Sequence, residues 1–178
     1  MYWLAFLAIS PASMQESLVD DAFIFHRVVD NLWDGQGWVY NPGQNVNPIT
    51  SPFYVVILAA AKVFQFSAPI TISFVYLLGL ITTGIGVYLG MRHHHRMQAW
   101  TMAILISSAA IPVRSWGMET SLFMAFIILS ILAYTNEKYL TTGLFCTFTA
   151  LLRPDGMALI CILAGAYLLR KRKIPWGM

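Results

Sequence analysis

Uncharged apolar runs alternate with short polar breaks along most of the chain. The longest covers 68–90, 23 residues without a charge. At 1.5 Å rise per residue such a helix measures about 34 Å, enough to cross a bilayer core. Four shorter runs follow at 98–112, Thr120–Thr135, Tyr139–Leu152 and 157–169. Each falls below the roughly 20 residues a span ordinarily needs. Each therefore predicts a helix that extends into its flanks or is shielded by neighbours.

The chain before residue 68 reads differently. In 23–33, Phe25, Val28, Val29 and Leu32 share one face, while His26, Arg27 and Asp30 fall elsewhere. That spacing predicts an amphipathic helix with Asp20 and Asp21 at its N-terminus. Gly35 and Gly37 end it, and 38–50 reads as a turn-rich loop around Asn41-Pro42-Gly43. The segment 51–66 is apolar apart from Lys62 and fits either a span or a helix lying in the interface. Basic loops favour the inner side of a membrane, and this chooses between the two. If 51–66 lies flat, Arg92-His93-His94-His95-Arg96 and Arg170-Lys171-Arg172-Lys173 both fall inside. Asp20, Asp21, Asn41, Arg114, Glu119, Arg153 and Asp155 then all fall on the outer face.

The expected fold class is all-α: a polytopic transmembrane helical bundle with juxtamembrane interfacial helices in its first outer loop. Residues 1–178 form one domain: a partial first span at 1–10, an outer loop at 11–67, about five spans over 68–169, and an inner basic tail at 170–178. The short apolar start and the ending Pro175-Trp176-Gly177-Met178 suggest a fragment or a shortened reading frame.

Composition sharpens this picture. Hydrophobic residues make up 58% of the 178 and charged residues 11%, with a mean hydropathy of +0.65. Ordinary globular domains carry about 45–50% and about 25%. Disorder, a disulfide scaffold and a free nucleic-acid binder are excluded, and Cys146 and Cys161 sit in apolar runs as small hydrophobes. Charge is therefore informative where it occurs. Five of the eight acids (Glu16, Asp20, Asp21, Asp30 and Asp34) lie between residues 16 and 34.

Several residues have the types that chemistry needs, and each admits a plainer role. The pair Asp20-Asp21 suits general-base work or metal binding, or it caps a helix. Arg153-Pro154-Asp155-Gly156 interrupts a long apolar stretch. Its Arg suits a phosphate, or Arg153 and Asp155 pair within a helix-breaking turn. Arg114 and Glu119 bracket another polar loop, where Glu119 is a second acid or a first-turn helix acid. Trp38 and Tyr40 suit stacking on a sugar or anchoring at the interface. Three consecutive histidines do not share a helical face, so His93 to His95 read as a basic loop rather than a metal site. No Walker loop, HExxH, nucleophile elbow or Cys-pair zinc motif occurs.

Taken in order, DDAFIFHRVVDNLWDGQGWVYNPGQNVNPITSPFYVVILAA at 20–60, GMETSLF at 117–123 and RPDG at 153–156 resemble integral-membrane glycosyltransferases of the GT-C superfamily. The likeness is nearest to the mycobacterial-type terminal arabinofuranosyltransferases, over roughly residues 15–160 and their N-terminal part only. The resemblance implies a polyprenyl-phosphate-linked sugar donor, a glycan or lipid acceptor, and surrounding membrane lipids. It implies the cytoplasmic membrane of a bacterium with the active face outside, and an inverting transfer with Asp20 or Asp21 as catalytic base. Arg153, Asp155, Arg114, Glu119, Asn41, Trp38 and Tyr40 are the expected substrate-binding residues. Some relatives use a divalent cation (Mg, Mn or Ca), which Asp20 and Asp21 would hold. Members of the family are longer, with more spans. A chain this short also fits a non-catalytic remnant, or an accessory subunit that binds lipid-linked sugar.

Overall fold

The structure is a computed structural model and describes residues 20–44, 46, 49–92, 96–107 and 115–171. Every regular element among them is helical: α1 (Asp21–Trp33), α2 (Pro52–Ala61) with a 3-10 turn at Lys62–Phe64, α3 (Ala68–Met91), α4 (Arg96–Ser107), α5 (Thr120–Thr135), α6 (Tyr139–Leu152) and α7 (Gly156–Lys171). The predicted bounds of α5 and α6 coincide with those observed, and α1 starts two residues before its apolar stripe. The helix expected at 98–112 begins earlier, at Arg96, and its described part ends at Ser107. The expected partial span at 1–10, Arg114, His93 to His95 and Arg172-Lys173 lie outside the described residues.

Helix α3 packs against both α4 and α5, and α5, α6 and α7 pack side by side in sequence order. Hairpin contacts fix their directions. The Trp100 ring packs at a tilt on Tyr88 with centroids 4.5 Å apart, and the Ser107 hydroxyl donates to Leu80 O at 3.3 Å, so α4 runs antiparallel to α3. Two glycines of α3 let α5 approach closely. Gly79 meets the backbone at Ser121 and Leu122, and Gly86 meets Ile128. Close backbone approach of this kind holds apolar helices together where no hydrophobic drive separates them from their surroundings. Among the described residues, α3 is the helix long and apolar enough to cross a membrane.

The two ends of this bundle differ. At one end, a cavity of about 380 Å³ is lined by Leu89, Gly90, Arg92, Leu132, Thr135 and Asn136. The Arg170 guanidinium bonds Glu137 at 2.9 Å at the turn that follows α5. At the other end sit residues 115–119 and 153–155, and α1 and α2 cover it. Tyr54 of α2 is fully buried and donates to Gly117 O at 2.7 Å. Phe53 stacks flat on Phe148 at 4.5 Å and edge-on against Phe126.

Helix α1 forms because one stripe, Ala22, Phe25, Val28 and Val29, is buried against Tyr54, Val55 and Leu58 of α2. It ends at two glycines with positive φ, Gly35 and Gly37, which only glycine adopts without strain. Burial of the stripe supplies most of the helix's stability, because 13 residues are marginal alone. Polar contacts fix the angle of the pair. Lys62 Nζ bonds Asp30 at 2.6 Å, His26 bonds the same carboxylate at 3.1 Å, and Trp33 Nε1 donates to Ala59 O at 3.1 Å. In the next loop Asn31 Nδ2 donates to both Val39 O and Tyr40 O at 2.8 Å, and Arg27 Nε donates to Tyr40 O at 3.2 Å. These bonds tie the loop to α1.

Candidate functional site

The covered end brings together acids and a base that are far apart in sequence. Glu119 stands just before α5, with its side chain 6% exposed. Arg153 leaves the end of α6 in an extended conformation, because Pro154 cannot continue the helix. Its guanidinium reaches Glu119 Oε1 at 3.4 Å and Asp155 Oδ2 at 3.0 Å, and it lies over the Phe123 ring at 5.6 Å. Asp21, at the start of α1, is close enough to act electrostatically on Glu119, as is Asp155.

The Glu119 carboxyl is held above the ordinary glutamate value. Burial is the main cause; Asp21 and Asp155 add to it, while Arg153 opposes it. Its second oxygen, Oε2, is buried and has no hydrogen-bond partner among the described residues. A buried carboxylate oxygen without a partner is costly. Glu119 therefore takes a proton more readily than an exposed glutamate. In that form it offers an O–H to whatever occupies the site.

Arg153 is 37% exposed and carries five N–H donors, more than its two carboxylates consume. A guanidinium at the end of an apolar bundle, with donors to spare, has the geometry to grip an oxyanion. The loop before Glu119 is positioned from α3: Trp116 Nε1 donates to Ser73 Oγ at 3.3 Å and Trp116 packs on Tyr76 at 5.0 Å. Tyr54 anchors the same loop from α2 through Gly117, whose φ is +90°.

Asp20 and Asp21 are both exposed at the start of α1. The Asp20 side chain makes no capping bond, although its carbonyl accepts from Phe23 N at 3.1 Å. The capping role that the sequence offers for Asp20 is thus not the one its side chain performs. Both carboxylates stand open to solvent at the covered end. As consecutive helical residues they diverge by about 100° around the axis. Among the described residues no three His, Cys, Asp or Glu side chains gather where a metal ion would be held. The expected divalent cation at Asp20 and Asp21 lacks a ligand set there.

The other expected binding residues lie to one side. Trp38 is half-buried against the core of α1 and α2. The Tyr40 ring lies under the Arg27 guanidinium at 5.5 Å. Asn41 opens a turn closed by Gln44 N to Asn41 O at 3.1 Å, with Pro42 second and Gly43 third at φ +84°. Proline followed by a glycine of positive φ is the signature of a type II turn. Among the described residues no hydrogen bond joins Asn41 to Glu119 or Arg153. The structure adds Gln44, bonded through its Oε1 to Asn41 Nδ2 at 3.1 Å. The NPGQ turn was the only sequence signal for it. Arg114 is outside the described residues.

No protein-family model matches this chain, and neither a curated protein nor a solved structure does so.

Proposed function

We propose that the chain is a membrane glycosyltransferase, or the catalytic module of one, that moves a sugar from a polyprenyl phosphate to a glycan or lipid acceptor with inversion. One observation carries this reading. Asp21, Glu119, Arg153 and Asp155, spread over more than a hundred residues of an acid-poor chain, converge at one end of a helix bundle. The ordered motifs that resemble the GT-C superfamily contribute the same residues.

In this reading the bundle spans the cytoplasmic membrane of a bacterium several times, with α1 and α2 on the outer face. The outward row Phe74, Leu78, Ile81, Ile85 and Leu89 of α3, all exposed, would face lipid. The carboxylate of Asp20 or Asp21 accepts the proton of the acceptor hydroxyl as its oxygen bonds to the anomeric carbon. The bond from that carbon to the phosphate oxygen breaks, and the electron pair leaves with the lipid phosphate. The leaving group already carries charge, so it needs a cation more than an acid. Arg153 supplies that cation. Glu119, which burial inclines toward its protonated form, has in that form an O–H for the phosphate or a sugar hydroxyl.

A transfer assay tests this. Purified chain in lipid is given a panel of radiolabelled polyprenyl-phosphate sugars and membrane glycan, with and without divalent metal. Labelled product is expected from the wild type and is lost in the Asp20→Asn/Asp21→Asn double variant. Transfer retained in the double variant removes both residues from the mechanism. Donor bound without any transfer favours the second reading, an accessory subunit. Arg153 already sits between two carboxylates as a structural ion pair would, and that arrangement is what favours this second reading.

A further inference from the structure

A second hollow opens one helical turn along α1 from the two aspartates. It encloses about 260 Å³ and is lined by Ile24, Tyr40, Asn41, Gln44 and Val46. Ile24 follows Asp20 by four residues and Asp21 by three, the spacing that places side chains on one face of a helix. The hollow and the carboxylates are therefore neighbours, although the hollow shares no residue with Glu119 or Arg153.

Its lining has two kinds of surface. Ile24, Val46 and the Tyr40 ring, which is 38% exposed, supply apolar area. Asn41 and Gln44 supply amides. Their one mutual bond consumes a proton of Asn41 Nδ2 and a lone pair of Gln44 Oε1. Asn41 Oδ1 and both protons of Gln44 Nε2 bond no other group among the described residues. An acceptor and a pair of donors on two bonded lining residues suit neighbouring hydroxyls. The apolar wall matches the C–H face of a ring. The volume lies below the roughly 300–1,000 Å³ of sites for drug-sized ligands, which suits one ring and not an oligosaccharide. Arg27 lies over the Tyr40 ring, and Asn31 holds the Tyr40 carbonyl, so the wall is fixed before any ligand arrives.

We infer that this hollow is a monosaccharide subsite that seats the terminal sugar of the acceptor, with Asn41 and Gln44 reading its vicinal hydroxyls. The acceptor assignment rests on the transferase reading: Ile24 of the hollow lies one helical turn from the two aspartates, and the base must lie beside the attacking hydroxyl. Sugar binding itself does not depend on that reading.

The test is saturation-transfer NMR on the full chain in lipid nanodiscs, with methyl arabinofuranosides, mannopyranosides and glucopyranosides as probes. At least one glycoside saturates the wild type at millimolar concentration. Its affinity falls at least fivefold in Asn41→Ala and in Gln44→Ala, and Val46→Trp, which fills the hollow, abolishes binding. Asp20→Asn and Asp21→Asn keep it. Free polyprenyl phosphate leaves the glycoside signal unchanged. Circular dichroism of each variant confirms the helical fold, and these are exposed loop positions. No saturation by any glycoside overturns the inference, as does binding indifferent to all three substitutions. Displacement by polyprenyl phosphate overturns the acceptor assignment. Absence of transfer by the wild type, with glycoside binding intact, refutes the catalytic reading and leaves the subsite standing.

Discussion

Replacing Gly79 by Ala is expected to loosen the bundle and, through it, the loop that carries Glu119. A Cβ at Gly79 would lie 2.5 Å from Ser121 Oγ and 2.7 Å from both the Leu122 nitrogen and the Ser121 carbonyl carbon. Two of those atoms are backbone, so no rotamer change relieves the clash. Helices α3 and α5 would have to separate locally by roughly 0.7 Å, and their flanking contacts would weaken with the distance. Overpacking of this kind costs typically about 1–3 kcal/mol, and a backbone obstacle places Gly79 at the upper end, about 2–3 kcal/mol. For a chain of this size that lowers Tm by roughly 5–10 °C. Two glycines serve as controls. At Gly90 the nearest atom is Leu132 Cδ2 at 3.1 Å, the end of a flexible side chain, and at Gly165 nothing lies within 4 Å. Alanine there should be neutral or, by helix propensity, stabilising by up to about 1 kcal/mol. Thermal unfolding in one detergent, followed by circular dichroism, compares the three. A Gly79→Ala variant no less stable than Gly90→Ala would refute the close seam.

Three further outcomes follow from the charged groups. Burial holds the His26 imidazole below its ordinary 6.5 despite its bond to Asp30; the unfolded chain therefore takes up a proton that the folded chain resists, and stability falls as pH drops below about 6.5. Tm measured between pH 5 and 7.5 should show that decline in the wild type and a flatter line in His26→Gln. Glu119 has the opposite sign: its carboxyl lies above the ordinary 4.5, so the folded chain binds the extra proton and this contribution weakens as pH rises from there; Glu119→Gln removes the slope, and a wild-type slope of opposite sign would exclude burial as its cause. Arg153→Ala strands the buried Glu119 and should cost about 1–2 kcal/mol, reduced from a fully buried pair because Arg153 is 37% exposed. Adding Glu119→Gln should restore part of that loss, and strict additivity in this double-mutant cycle would mean that the two groups do not interact.

Local features of the fold were readable because their causes are local. The bounds of α5 and α6 follow from uncharged runs closed by Glu119, Asn136-Glu137-Lys138 and Pro154. The end of α1 follows from Gly35 and Gly37. The start of α4 was missed by two residues, because Arg96 and Met97 are good helix formers that a hydropathy run excludes. The candidate site was readable as residues and not as an arrangement. Nothing in the periodicity tells Glu119 that its partner is 34 positions away, or Asp30 that Lys62 will reach it across the α1–α2 pair. The first contact arises only when α5 and α6 pack together, and the second only when α1 packs on α2. Gln44 was passed over because an exposed glutamine in a turn carries no signal until the turn places it beside Asn41.

The way α1 and α2 are fastened has a thermodynamic consequence. Internally the pair is tied by Lys62 and Trp33, with its loop bound through Asn31 and Arg27. Asp20, Asp21 and the Asn41–Gln44 hollow therefore travel as one piece, while Glu119 and Arg153 belong to the bundle. A ligand that touches both pieces acts as an additional rivet across their boundary. By linkage it raises the free energy of detachment by about 2.7 kcal/mol at a hundred times its Kd. A ligand confined to either piece leaves that boundary as it was. Amide exchange in α1 is then a gauge of reach: its slowing separates molecules that bridge the two pieces from those that merely bind.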